Sequence, residues 1–243
     1  ASVIDTPESS LRTALTRLCE GGLIYCRGEI PDAEYRFKHA MVQDVAYESL
    51  LKSRRAVLHG RIIRALETHF PELLEAEPEM LVFHAVRADL ADKAITYGLI
   101  AGRRALARSA NREALCLFEE AMALLDRVED RAQRQTLELS LQLALGQAAM
   151  AHYGYAAPET AAAFGRAREL AEEAGQSQPY YEILYGLYAS NTINGRFNQA
   201  AEVGQRFHEL ASRENDAGYL AIAHRMLGVL ALYRARLPEA RAH

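Results

Sequence analysis

His39 is the residue that its neighbours best equip for chemistry. The alternating run Glu34-Tyr35-Arg36-Phe37 ends just before it, and helical spacing begins just after it. The pattern therefore predicts His39 at a helix start, where an imidazole can donate to a phosphate oxygen. A capping or packing histidine is the alternative reading. Next come Lys52, Arg54, Arg55, Arg61 and Arg64, with His59 among them. Arg54, Arg61 and Arg64 are spaced to share a helix face. That cluster suits either an interface with an acidic or nucleotide-bearing partner or simple solvation. A third group lies near the far end of the chain. Tyr180, Tyr181, Tyr185 and Tyr188 form an aromatic stripe at helical spacing, which reads as core or as a ligand face. Tyr185, Thr192 and Arg225 are the candidates for contact with a peptide. No catalytic set emerges: His84, His152, His208 and His224 are isolated, no HExxH occurs, and no serine or cysteine has a patterned partner. No GxxxxGKS/T is present, so the chain has no such loop to cradle a triphosphate. Neither a metal site nor a bound cofactor is expected within it.

Composition narrows the classes further. Half of the 243 residues are apolar and the formal charge is -4, which argues against a general nucleic-acid coat or a polybasic membrane binder. No apolar run is long enough for a membrane span, and no signal peptide opens the chain. Cys19, Cys26 and Cys116 form no CxxC, which fits a reducing cytosol and three buried thiols. The expectation is a cytoplasmic protein.

Several elements must position these residues. Ser9 or Ser10 can cap a helix through Leu11, Leu15 and Leu18 that Gly21-Gly22 ends. Leu23 to Arg27 and Glu34 to Phe37 read as a hairpin around turn residues that include Pro31 and Asp32. A helix followed by such a hairpin is the closing part of a winged helix, here residues 1–38. Connecting helices fill 39–88: one with the apolar face Met41-Val42-Val45-Ala46-Leu50-Leu51, one through Leu58-Ile62-Ile63-Leu66, and, after a solvated acidic loop from Glu72 to Glu79, one around Met80–Val86.

Residues 89–243 repeat a plan: a helix with a small residue deep in it, a short turn, then a second helix led by alanine. Gly102, Gly146 and Gly228 recur with Tyr188 in the equivalent place, at intervals of about forty residues. Ala114-Phe118-Ala121, Phe164-Ala167 and Phe197-Ala200 belong to the second helices. A small residue lets the partner helix approach, and a bulky one fills the space beside it. Such pairs stack, which predicts a mainly α architecture: a partial winged helix followed by an α-solenoid of antiparallel helix pairs. The last copy stops just inside its second helix, so the chain is expected to be a piece of a longer protein.

The repeat layout resembles the tetratricopeptide repeat (TPR). Ala114, Phe118 and Ala121 match its second-helix signature, Leu227-Gly228 with Ala231 the first-helix one, and Gly195 to Ala200 its turn. The period exceeds the usual figure of about 34, and a HEAT-type register is the alternative. The segment Tyr35 to Tyr47, with Leu50-Leu51, Arg54-Arg55 and Leu58 to Ile62, resembles bacterial multidomain signalling proteins. These join a STAND-type, AAA-like ATPase module to a TPR-like tail, often behind a class III adenylate or guanylate cyclase domain. The resemblance implies a regulatory, protein-interaction segment whose own fold is not an enzyme. ATP or ADP with Mg would sit in an upstream module, which is the expected partner in cis. A protein or peptide would bind the solenoid, and nucleic acid and membrane are not expected partners. Phe37-Lys38-His39-Ala40-Met41 matches the aromatic-x-His-x-hydrophobic pattern that such switches use to sense the nucleotide, with Ala40 in place of the usual acid. A sensor tail of a STAND-type transcriptional activator and a plain TPR scaffold are the rival expectations.

Overall fold

The computed structural model describes residues 3–4, 6–29, 33–174 and 178–242. Pro31 and Asp32 of the expected turn lie outside them. The described chain is mainly helical, with a two-stranded antiparallel sheet near its start. It divides into two compact units, Ala1–Leu90 and Ala91–His243.

In the first unit, α1 spans Glu8–Glu20 and follows Pro7, which provides no side-chain cap. Ser9 and Ser10 therefore lie inside the first turn instead of capping it, because proline already presets the backbone for helix entry. The left-handed backbone at Gly22 (φ 70°) turns the chain into β1, Ile24–Arg27. Its partner β2, Glu34–Phe37, pairs in the register Ile24 to Phe37 and Arg27 to Glu34. Helix α2, Ala40–Glu48, follows, but its apolar face is uncovered: no residue of α2 is buried, and Met41 is 76% exposed. The unit's packing lies elsewhere. His59 and Ile63 of α3, Lys52–His69, are buried, as are Pro78, Leu81 and Ala85 of α5, Pro78–Arg87. The acidic stretch read as a solvated loop holds the short helix α4, Leu73–Ala76, and the first turn of α5. Pro78 opens α5 because the first helical position needs no amide proton.

The second unit is built from paired helices: α6 (Ala91–Ala107) with α7 (Asn111–Met122), α8 (Arg131–Tyr153) with α9 (Pro158–Ala174), α10 (Gln178–Ile193) with α11 (Phe197–Glu214), and α12 (Ala217–Tyr233) with α13 (Leu237–Ala242). Asp130 starts α8 by accepting from the amides of Ala132 and Gln133, and Asp216 starts α12 by accepting from Tyr219. Small residues set the approach of the pairs. A Cβ on Gly102 would lie 2.2 Å from Phe118, and one on Gly146 would lie 2.9 Å from Phe164. The third such anchor is Gly186, not Tyr188: a Cβ there would lie 2.6 Å from the opposite edge of Phe164. Phe164 thus sits between α8 and α10 with a glycine on each side. Tyr188 is buried and donates its phenol to the Met226 carbonyl at 2.6 Å.

Several helix ends share one closure. The amides of Ala110, Arg196, Asp216 and Arg236 each bond the carbonyl five residues back. The residue before each has positive φ: Ser109, Gly195, Asn215 and Ala235. This is the Schellman-type stop, and it sets where each following helix begins.

Candidate functional site

Three helices of the second unit, α8, α10 and α12, present side chains to one groove of about 410 Å³. Its floor is aromatic. Phe164 of α9, Phe207 of α11 and Tyr181 of α10 back it as buried core, while the half-buried Met150, Tyr185, Tyr219 and Ile222 form its surface. Tyr181 and Tyr219 stack at 3.8 Å, nearly parallel, and Tyr181 meets Phe207 edge-on at 4.9 Å. The Tyr181 phenol donates to Glu214 at 2.9 Å. Burial, reinforced by that carboxylate, holds this phenol protonated well above the ordinary tyrosine range. The rim is polar: Gln147 of α8 donates to Glu182 of α10 at 2.9 Å, and Arg225 of α12 lies over the Tyr185 ring at 6.0 Å. The arrangement can desolvate an apolar group and orient it by charge.

Of the peptide-contact candidates, Tyr185 and Arg225 converge on this groove. Thr192 does not line it. Its hydroxyl donates to the Tyr188 carbonyl within the same helix, at 2.8 Å. Gln147, Met150 and Ile222 also line the groove. Sequence spacing missed them because two helices far apart in sequence, α8 and α12, contribute them.

In the first unit, His39 stands at the start of α2, exposed, with no side-chain capping bond. Its carbonyl, not its imidazole, serves the helix, accepting from Val42 at 3.1 Å. The capping alternative for the ring is thereby removed. The basic residues do not form one set. Arg54 and Arg64 are exposed, Arg55 lies 4.9 Å over the Tyr47 ring, Arg61 donates to the Val3 carbonyl at 3.5 Å, and Arg64 to Gly60 at 3.4 Å. His59 leaves the surface cluster altogether. It is 7% exposed, with Nε2 3.0 Å from the Tyr47 hydroxyl and Nδ1 2.7 Å from His84 Nδ1. Cys26 and Cys116 are exposed and Cys19 is partly so, contrary to the expected burial of all three.

The histidine pair has a pH consequence. Two Nδ1 atoms in hydrogen-bond contact need one proton between them, so both rings cannot be fully protonated in this arrangement. Burial, and then the positive charge of Arg87 and Arg55 at His59 and of His59 and Arg87 at His84, lowers both values below the usual 6.5. The unfolded imidazoles therefore take up protons first as pH falls. Their contribution is complete above about pH 6.5 and is lost progressively on acidification below it. Amide hydrogen exchange in α3 and α5 should accelerate between about pH 6.5 and pH 5, beyond the intrinsic chemical trend, and His84→Ala should flatten that dependence. An unchanged opening free energy across that range in the unsubstituted chain would contradict it.

Among the described residues, no group of three or more His, Cys, Asp or Glu side chains could hold a metal ion. No helix there is long and apolar enough to cross a membrane.

Over 187 residues, or 76% of its length, the chain is 28% identical to an uncharacterized protein of Rhizobium meliloti (strain 1021), and it covers 18% of that protein. No protein-family model matches the chain. No solved structure matches it.

Proposed function

We propose that this chain is a regulatory, protein-interaction segment of an ATP-dependent signalling protein. In this reading the second unit is a TPR-like array that receives a protein or peptide partner. The first unit is the winged-helix end of a STAND-type module, which passes the binding event to a nucleotide held elsewhere. The observation that carries the reading is the groove of α8, α10 and α12: apolar at its floor, charged at its rim, and open to a partner. Gly102–Phe118 and Gly146–Phe164 close two of the pairs, and Gly186–Phe164 packs one pair on the next, which supports the stacking that such an array requires.

The first unit has features suited to coupling. The exposed apolar side chains Met41, Val45 and Leu51 need a cover in an intact signalling protein. His39, exposed at the start of α2, is free of any capping duty and available to a phosphate. ATP or ADP with Mg belongs to the upstream module in this scheme. In the full-length protein, His39→Ala should loosen retained nucleotide about tenfold, the scale of one lost charge-assisted hydrogen bond. Measuring the rate of ADP release decides it. An unchanged rate would remove the switch and leave a scaffold.

A further inference from the structure

We infer that one end of the helical array in the second unit docks on an anionic lipid surface. The first helix of each pair runs to that end, and the second returns from it. Tyr153, Ile193 and Tyr233, the last residues of α8, α10 and α12, are 54%, 60% and 63% exposed. Tyr155, Leu232 and Leu237 beside them are exposed as well. Among the described residues of this unit, the one other exposed large apolar side chain is Val229, a helical turn before Tyr233. The opposite end has none among them. The row is tied from turn to turn. Asn111 donates to the Ala151 carbonyl at 3.1 Å, Asn194 to the Ala156 carbonyl at 3.2 Å, and Arg234 to the Asn198 side chain.

Charge separates the same two ends. Around the apolar row, residues 107–113, 152–159, 193–199 and 233–239 contain five arginines and three glutamates. At the opposite end, residues 123–131, 172–174 and 212–217 contain three arginines and seven carboxylates. The formal charge of -4 therefore conceals an apolar, basic end and an acidic one. An anionic bilayer attracts the first and repels the second, which sets the orientation. Tyrosines with leucine and isoleucine gain at the boundary between headgroups and acyl chains. A second copy meeting the same end would set arginine against arginine. Equivalent positions of successive pairs form a row along the array, and a bilayer meets the whole row at once. A peptide would have to cross three pairs to do the same.

The test is co-sedimentation of the whole chain with vesicles of phosphatidylcholine, alone or mixed with phosphatidylglycerol at about three to one. Binding should be at least about tenfold tighter to the mixed vesicles at low salt and should weaken as salt rises. Tyr153→Ser, Ile193→Ser and Leu237→Ser together should remove binding and leave the urea midpoint in place, since all three side chains are exposed. Arg112→Gln with Arg196→Gln should erase the preference for mixed vesicles. Arg131→Gln with Arg213→Gln, the same change of charge at the acidic end, should leave it intact. Equal binding to both kinds of vesicle, or equal losses from the two arginine pairs, would overturn the proposal. Vesicle binding that survives the triple substitution would place the contact elsewhere in the chain and overturn it too. Binding of polyglutamate at this end without any binding of vesicles would replace the lipid by an acidic protein.

Discussion

Phe164→Ala should destabilise the second unit by about 3–5 kcal/mol, the largest loss expected of any single truncation in the chain. Phe164 is 2% exposed and lies in a core that spans α8 to α12. The usual relief for a large-to-small change is collapse of neighbouring side chains into the space. Here the positions along both edges of the ring are Gly146 and Gly186, which have no side chain to offer. The cavity therefore stays open, and the cost belongs at the upper end of the range. A second substitution separates this account from generic core loss. Gly186→Ala alone places a methyl 2.6 Å from the Phe164 ring and should destabilise. In the Phe164→Ala background the same methyl enters vacated space and should be neutral or stabilising. Urea titrations of the four proteins, followed by the near-ultraviolet tyrosine signal, would show that reversal of sign as a coupling energy. Additive effects would mean that Phe164 and Gly186 do not share the contact.

The second large effect concerns Gly102. Helix propensity alone predicts that Gly102→Ala stabilises α6 by about 1 kcal/mol. The packing predicts the opposite. The added Cβ would lie 2.2, 2.5 and 2.7 Å from three atoms of the Phe118 ring, which is fully buried and has nowhere to move. Overpacking of this kind costs about 1–3 kcal/mol, sometimes more, and should outweigh the propensity gain. Gly165 supplies the control. It also lies within a helix, α9, but nothing stands within 4 Å of the position its Cβ would take. Gly165→Ala should therefore raise stability by up to about 1 kcal/mol. Both substitutions moving the midpoint in the same direction would refute the packing role assigned to Gly102.

These contrasts show what was legible in the residues. Ala114, Phe118 and Ala121 were readable because one helix carries all three, and spacing within a helix maps onto a face. All three are buried. Gly186 was missed because the aromatic Tyr188, two residues on, carried the stronger hydrophobic signal, and a two-residue shift moves a helical position to the other side. The start of α8 at Arg131 is not marked by the apolar rhythm, which begins after the first turn. Asp130 was the signal available, an aspartate whose side chain meets the amides two and three residues on. The turns at Ser109 and Ala235 were not marked by composition either, since their positive φ falls on residues that seldom adopt it.

The sites divided in the same way. Tyr185 and Arg225 were readable as candidates from helix position, but their convergence with Gln147 and Ile222 is tertiary. His59 looked like a surface cation because its local neighbours are arginines. Its actual partners, Tyr47 and His84, come from α2 and α5, and no spacing rule links the three. Of the apolar face expected for α2, Met41, Val42, Val45 and Ala46 fall on the helix, whereas Leu50 and Leu51 lie beyond its end. Whether a face is covered depends on what packs against it, and that is not written in its periodicity.

The central claim is that the partner meets the groove of α8, α10 and α12. Two-dimensional NMR of the ring carbons in the chain's 12 tyrosines tests it most directly, with an acetylated, amidated phenylalanine-bearing pentapeptide added stepwise. Signals of Tyr185 and Tyr219 should shift in proportion to occupancy, while those of Tyr25 and Tyr47 in the first unit stay in place. Shifts confined to tyrosines outside the groove, with Tyr185 and Tyr219 unmoved at saturation, would contradict it.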